Sequence, residues 1–422
     1  MRRICFLLVV FLALQFGKSL AQTDTLQLNI KQAEYLFRKQ NYDLLASNFQ
    51  IDQERADIIT ARLWDNPELE HENLFYNHET KKFLQTSYEY GQFSSSVAQL
   101  FKLAGKRNKN IKIAQFGVKM AEFAYFDLIR TLNFELHNNF YNAYFAQQSV
   151  AVYQQQIAAS TQLLKAYEVQ LKTGNVALKE VIRIKALLIN LKTELIAVLN
   201  ELEDSQKDLR LICGLAPSGG IKLILPAPEN NPPITSLSYQ SLIDSARVNR
   251  SDLKLARTDL EYQKMNLKLQ KAMAIPDVEL SLSYDLKGNY PEKYTGLGIK
   301  IPLPLFNRNQ GEIKKAMTGI DASENNIRKQ ESILENEIFN VYKTVFRNEK
   351  LCNEVDPSFS TDFDKLISAL IKNFKDRNIN LIEFLDLFDS YKENTLQLNK
   401  LQQNRMNARA ELNFVTGTNI FK

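Results

Sequence analysis

Val278-Glu279-Leu280-Ser281-Leu282-Ser283-Tyr284-Asp285-Leu286 alternates apolar and polar side chains without a break. A second run follows closely: Leu297, Ile299, Ile301 and Leu303 alternate with Gly296, Gly298, Lys300 and Pro302. Successive side chains of an extended backbone point to opposite faces, so this pattern marks a strand with one apolar and one polar face. The expected strands span 277–286 and 295–303, with Gly288, Asn289 and Pro291 in the loop between them. Pro302 and Pro304 have no N–H to give a ladder, so the second strand must end there. Asn307 or Asn309 can then cap a following helix.

Outward from this pair, the chain reads twice. Pro67-Glu68-Leu69 has a partner in Pro276-Asp277-Val278, and Gly105-Lys106-Arg107 precedes a long helical pattern as Asn309-Gln310-Gly311 does. Asn175-Val176-Ala177-Leu178 matches Asn378-Ile379-Asn380-Leu381, and Gly214 matches Gly417. A common offset at distant points predicts an internal duplication: one unit over 22–215, a Pro-rich linker over 216–235, and a second unit over 236–422. Earlier strands are expected at 67–76 and 94–102. Their alternation is weaker, and Phe75, Tyr76, Phe83, Tyr88, Tyr90 and Phe93 crowd the loop.

Helices fill the remainder. Residues 106–172 hold no proline, and Ile113, Phe116, Met120, Phe123 and Phe126 recur at helical spacing. At 1.5 Å per residue such a helix reaches about 100 Å, and its apolar steps suit packing against other helices. A return helix is expected over 178–213. A first helix is expected over 29–63, and its counterpart over 238–274. Gly174-Asn175 breaks the first long pair, where Gly permits a left-handed turn. At the second tip Arg377 stands in that place, beside Asn378.

The bulk composition excludes several functions. The 422 residues hold 14 Gly, 11 Pro, 3 His and 3 Cys, with a net charge of +5 spread along the chain. Interleaved charges read as solvated helix faces, not a nucleic-acid footprint. Arg2 and Arg3, an apolar run over 4–14 and Ser19-Leu20-Ala21 read as a secretory signal peptide over 1–21. No later run is apolar enough for a membrane helix, so membrane residence requires a closed β-barrel. Cys213 and Cys352 make no metal motif; two separate thiols are the favoured reading. His71 and His78, near Glu72 and Glu79, read as an accident of strand and loop. No phosphate loop or nucleophile elbow occurs, so no cofactor, metal site or catalysis is expected.

Three stretches resemble the TolC-type outer-membrane efflux ducts, CzcC-like branch: Ala61-Arg62-Leu63-Trp64-Asp65-Asn66-Pro67, Gly105-Lys106-Arg107, and Ile301 through Gly311, which includes Pro302, Pro304, Phe306, Asn309 and Gly311. The resemblance implies a mainly α fold with a small β part. Long helices form an α-barrel tunnel, and four strands per protomer enter a trimeric twelve-stranded β-barrel in the outer membrane, with the helices in the periplasm. It implies a homotrimer in outer-membrane lipid, a periplasmic adaptor meeting the tips at Gly174, Asn175, Arg377 and Asn378, and an inner-membrane RND pump. The cargo it implies is heavy-metal cations. Glu383, Asp386 and Asp389, with Glu180 in the first half, fall where the family's acidic residues line the narrow entrance. The joint residues take a structural role. An organic-compound duct and a periplasmic helical scaffold or adhesin remain as alternatives. The scaffold leaves the alternating strands without a purpose.

Overall fold

The computed structural model describes residues 25–217, 219–225, 231–288, 291–356, 365–366, 369–374 and 378–421. The expected signal peptide at 1–21, Pro226 and Pro228 of the linker, and Arg377 lie outside the described residues. The order is β1 (Leu26–Asn29), α1 (Ile30–Gln40), α2 (Tyr42–Arg62), β2 (Glu68–Asn73), β3 (Tyr76–Asn77), β4 (Lys82–Phe83), β5 (Phe93–Phe101), α3 (Lys106–Lys172) and α4 (Leu178–Cys213). Then follow β6 (Ile221–Ile224), α5 (Tyr239–Asn249), α6 (Ser251–Met273), β7 (Val278–Asp285), β8 (Tyr294–Lys300), α7 (Gln310–Glu354) and α8 (Leu381–Thr416). The chain divides into two compact units. One comprises residues 46–128 and 250–335; the other comprises residues up to 45, 129–249 and 336–422.

The first unit holds a four-stranded sheet of order β2-β5-β7-β8, antiparallel at every step. Leu69, Val97, Leu282 and Leu297 are successive partners across the strands. All four are exposed, from 47% to 77%. Leu280 and Ile299 extend that face beside Gln99. The opposite face holds Glu70, Ser96, Ser283 and Gly296 in one row, and Glu68, Ala98, Ser281 and Gly298 in another. This is an ordinary amphipathic sheet with its apolar side turned outward. Around it, Arg55 of α2 meets Glu122 of α3 at 3.4 Å. Ser323 of α7 donates to Asp259 of α6 at 2.5 Å.

The second unit has a conventional core. Phe37, Leu136, Phe140, Ile184, Leu191, Leu209, Ile338 and Leu412 are essentially closed to solvent. Full burial of each such side chain contributes roughly 1.5–3 kcal/mol. β1 and β6 pair in parallel, Leu26 beside Ile221 and Asn29 beside Ile224. Neither strand was expected, and β6 gives part of the 216–235 linker regular structure.

Two expected helices are each broken once. The first stops at Asn41, whose backbone is extended. Its buried side chain accepts from Leu44 N at 2.9 Å and donates to Ile212 O at 3.0 Å. Starting a new helix there gives a buried amide both of its partners. The helix expected over 238–274 breaks at Arg250, likewise extended, with its guanidinium on Asp252 at 2.5 Å. α4 and α8 end alike, on left-handed Gly214 and Gly417 at φ 63° and 64°. At Gly214 a Cβ would stand 2.6 Å from Gln40 O, so close approach as well as conformation demands glycine.

Candidate functional site: sheet, joint and helix tips

In the sheet unit, the joint between strands and helices explains Gly105-Lys106-Arg107. Ala104 and Gly105 are both left-handed. That double turn points Lys106 inward, where its side chain is 4% exposed. Its ammonium donates to Asp277 Oδ1 and to Ile275 O, each at 2.7 Å. Asp277 Oδ1 also accepts from Leu103 N at 2.8 Å. One carboxylate therefore ties the start of α3 to the entry of β7. Arg107 donates to Arg62 O at 2.9 and 2.5 Å and lies over the Trp64 ring at 4.9 Å.

The second joint differs in detail. β8 ends at Lys300, before Pro302 and Pro304, as the missing donors require. Asn309 is left-handed at φ 58°. Its side chain does not cap α7: it donates to Gln270 O at 2.8 Å and to Gln270 Oε1 at 2.9 Å. Asn307 holds the turn by accepting from Asn309 N at 3.0 Å. Gly311 lies in α7, where an added Cβ would meet nothing within 4 Å. Phe306 is 93% exposed and packs on nothing in its own chain to any large extent.

The helix tips belong to the other unit. Gly174 is left-handed at φ 76°, and Asn175 N closes the turn on Gln170 O at 2.9 Å. Asn378 N makes the same bond to Asn373 O at 2.9 Å. α8 starts with Asn380 accepting from Glu383 N at 3.0 Å. Glu180 and Glu383 sit in the first turns of α4 and α8, where a carboxylate is favoured by the helix dipole whatever else it does. Below this tip, Leu370, Phe384, Phe388 and Tyr391 form a buried cluster.

The acidic residues of α8 divide into two groups. Glu383 and Asp386 are exposed and stand three apart on one face. Asp389, expected to continue that face, is half-buried and paired with Lys392 at 3.0 Å. Lys392 is 9% exposed and also reaches Glu194 of α4 at 3.0 Å. Burial pushes the Lys392 ammonium down, but its two carboxylates outweigh that and hold it above its ordinary range. Asp389 therefore belongs to a tie between α4 and α8. The exposed acidic stripe of α8 continues through Glu393, seven residues beyond Asp386. The i, i+7 spacing puts the two on one face.

Elsewhere, Glu349 of α7 accepts from Arg405 at 2.8 and 3.0 Å and from Arg409 at 2.5 Å. Burial raises its pKa, yet the two guanidiniums win and hold it below the usual carboxylate range. His71 Nδ1 lies 2.8 Å from Ser95 Oγ, and His78 packs edge-on against Tyr76. Among the described residues no group of three or more His, Cys, Asp or Glu is placed to hold a metal. Cys213 and Cys352 are free thiols, and burial pushes Cys213 up to about 12. No described helix is long and apolar enough to cross a membrane.

Comparison with known proteins agrees with this geometry. The family model "Outer membrane efflux protein" matches residues 34–215. The cobalt-zinc-cadmium resistance protein CzcC of Cupriavidus metallidurans is 20% identical over 297 residues, covering 70% of this chain and 68% of that protein. Among solved structures, the Campylobacter jejuni CmeC outer membrane channel superposes with a TM-score of 0.72 at 12% identity, over 92% of this chain and 85% of that one. CusC gives 0.69 at 17% identity, over 92% of each chain. The outer membrane protein VceC of Vibrio cholerae gives 0.68 at 15%, over 92% and 96%. The fold is therefore that of these outer-membrane channels, and the first half of the chain, residues 34–215, matches the model of the outer membrane efflux protein family.

Proposed function

We propose that three copies of this chain assemble into an outer-membrane duct that passes divalent metal cations, of the cobalt, zinc and cadmium kind, out of the cell. The sheet is the observation that carries this reading. Its order β2-β5-β7-β8 leaves two free edges, and its exposed aliphatic row faces outward. Four strands cannot close on themselves, whereas sheets pooled from several copies can, and closure satisfies every edge inside a lipid layer. The likeness to CzcC supports the choice of cargo. The chain is led out of the cytoplasm by residues 1–21. Its helices stand in the periplasm, and it performs no chemistry of its own.

The tips at Gly174, Asn175, Arg377 and Asn378 meet a periplasmic adaptor, which couples the duct to an inner-membrane pump. Glu383 and Asp386, with Glu180, line the entrance. Two unit charges about 10 Å apart in water interact by only about 0.4 kcal/mol, and salt screens them further. Rings of carboxylates therefore bias passage toward cations without holding the entrance shut. Purified protein in planar bilayers under a salt gradient tests this. A conducting trimer should show a cation-selective reversal potential, and Glu383→Gln with Asp386→Asn should move that potential toward zero. A monomer without conductance would overturn the duct. Unchanged selectivity in the double variant would remove these residues from the entrance.

A further inference from the structure

The two edges of the sheet end in complementary loops. β2 is entered through residues 63–67, where Leu63 and Trp64 are 64% and 61% exposed. Trp64 is nevertheless held: Arg107 covers one face at 4.9 Å, and Phe101 meets it edge-on at 6.5 Å. Gln99 anchors the same loop by donating to Asp65 O at 2.9 Å. β8, the opposite edge, runs on past Lys300 into residues 301–306, where Leu303, Leu305 and Phe306 are 73%, 64% and 93% exposed.

Both loops lie at the same end of the sheet. Glu68, the first residue of β2, shares a row with Ala98, Ser281 and Gly298, and Gly298 stands two residues before the end of β8. Within one chain β5 and β7 separate these edges. Because every neighbouring pair is antiparallel, β2 and β8 run in opposite directions. A second copy laid edge to edge therefore adds its β2 antiparallel to β8, the pairing that continues the ladder. That addition brings its 63–67 loop beside the 301–306 loop of the first copy.

We propose that these loops form a clasp between copies: Phe306 and Leu305 of one chain pack on Leu63 and the open face of Trp64 of the next. The clasp rests on the assembly described under the proposed function, and it assigns two of the sequence signatures to a single contact. It is head-to-tail, so each copy gives one half to each neighbour and the ring closes when the rotation does. Stacked or edge-on aromatic pairs add attraction beyond the area they bury. Lipid would cover the same apolar atoms but offers no backbone partner to the strand edges that set the loops side by side.

The test uses the full chain purified in detergent. Oxidation of a Trp64→Cys, Phe306→Cys double variant should give covalent trimers, and neither single variant should do so. Co-assembly of the two single variants should stop at covalent dimers. A trimer by mass that forms no bridge between chains overturns the clasp and leaves the assembly standing. A chain that is monomeric throughout overturns both. Phe306→Ser provides a second readout: trimer association should weaken about tenfold or more, as for loss of an aromatic anchor. Its monomer unfolding midpoint should be unchanged. A lowered midpoint with unaltered association overturns the proposal. So does protection of the Phe306→Cys thiol from a water-soluble maleimide by lipid vesicles but not by trimer formation, which would give Phe306 to the bilayer.

Discussion

Lys106 carries a charge into a nearly closed site and finds one carboxylate and one carbonyl there. Removing one member of such a pair leaves the other uncompensated. Lys106→Met should therefore lower unfolding stability by about 3 kcal/mol. Adding Asp277→Asn should restore part of it, because the amide oxygen still accepts from Leu103 N. Urea unfolding of both variants checks this. Glu349 makes a pH prediction. Its folded pKa is depressed by Arg405 and Arg409, so its contribution is full above the unfolded value of about 4.3. That contribution fades as pH falls through the folded value. Glu349→Gln should be less stable than the parent at pH 7, and the gap should close in acid. The signature around Lys106 was visible in the sequence, but its purpose was not, because its partner Asp277 lies 171 residues away.

Elements were legible where a period was clean. The strands around Val278 and Leu297 end within a few residues of their expected limits, because two-residue alternation has no competing reading. The breaks at Asn41 and Arg250 were hidden, since each depends on a buried polar contact that periodicity does not record. β1 and β6 were hidden for a related reason: four residues each is too short a run, and the pairing spans almost 200 residues. Two glycines separate motif from need. Gly214→Ala faces a left-handed conformation worth about 1–2 kcal/mol and a carbonyl at 2.6 Å, so its thermal midpoint should fall. Gly311→Ala places a better helix former in open space and should be neutral or stabilising by up to about 1 kcal/mol. Thermal unfolding followed by circular dichroism distinguishes the two.

For the whole molecule, the sharpest test concerns which carboxylates an ion passes. Asp389 is ion-paired with Lys392, which also reaches Glu194, whereas Glu393 is exposed on the stripe of Asp386. If that stripe faces the passage, Glu393→Gln should reduce cation preference in planar bilayers and Asp389→Asn should leave it nearly unchanged. Equal effects would show that the stripe was drawn wrongly. The sequence exposed the acidic run but not this partition, since a neighbouring lysine decides which charge is spent locally.

In the proposed trimer, the free edges of β2 and β8 also govern the chain before it reaches its companions. Ahead of that assembly a single copy is an unfinished surface: two rows of unsatisfied peptide groups and a greasy outer face, in water. Finding two more copies is a bimolecular race against every other exposed strand in the compartment, including those of identical chains in the wrong register. Scarcity slows the correct ring and excess feeds precipitation. The yield of working ducts should therefore pass through a maximum as expression rises, and escort proteins that mask strand edges should shift that maximum upward.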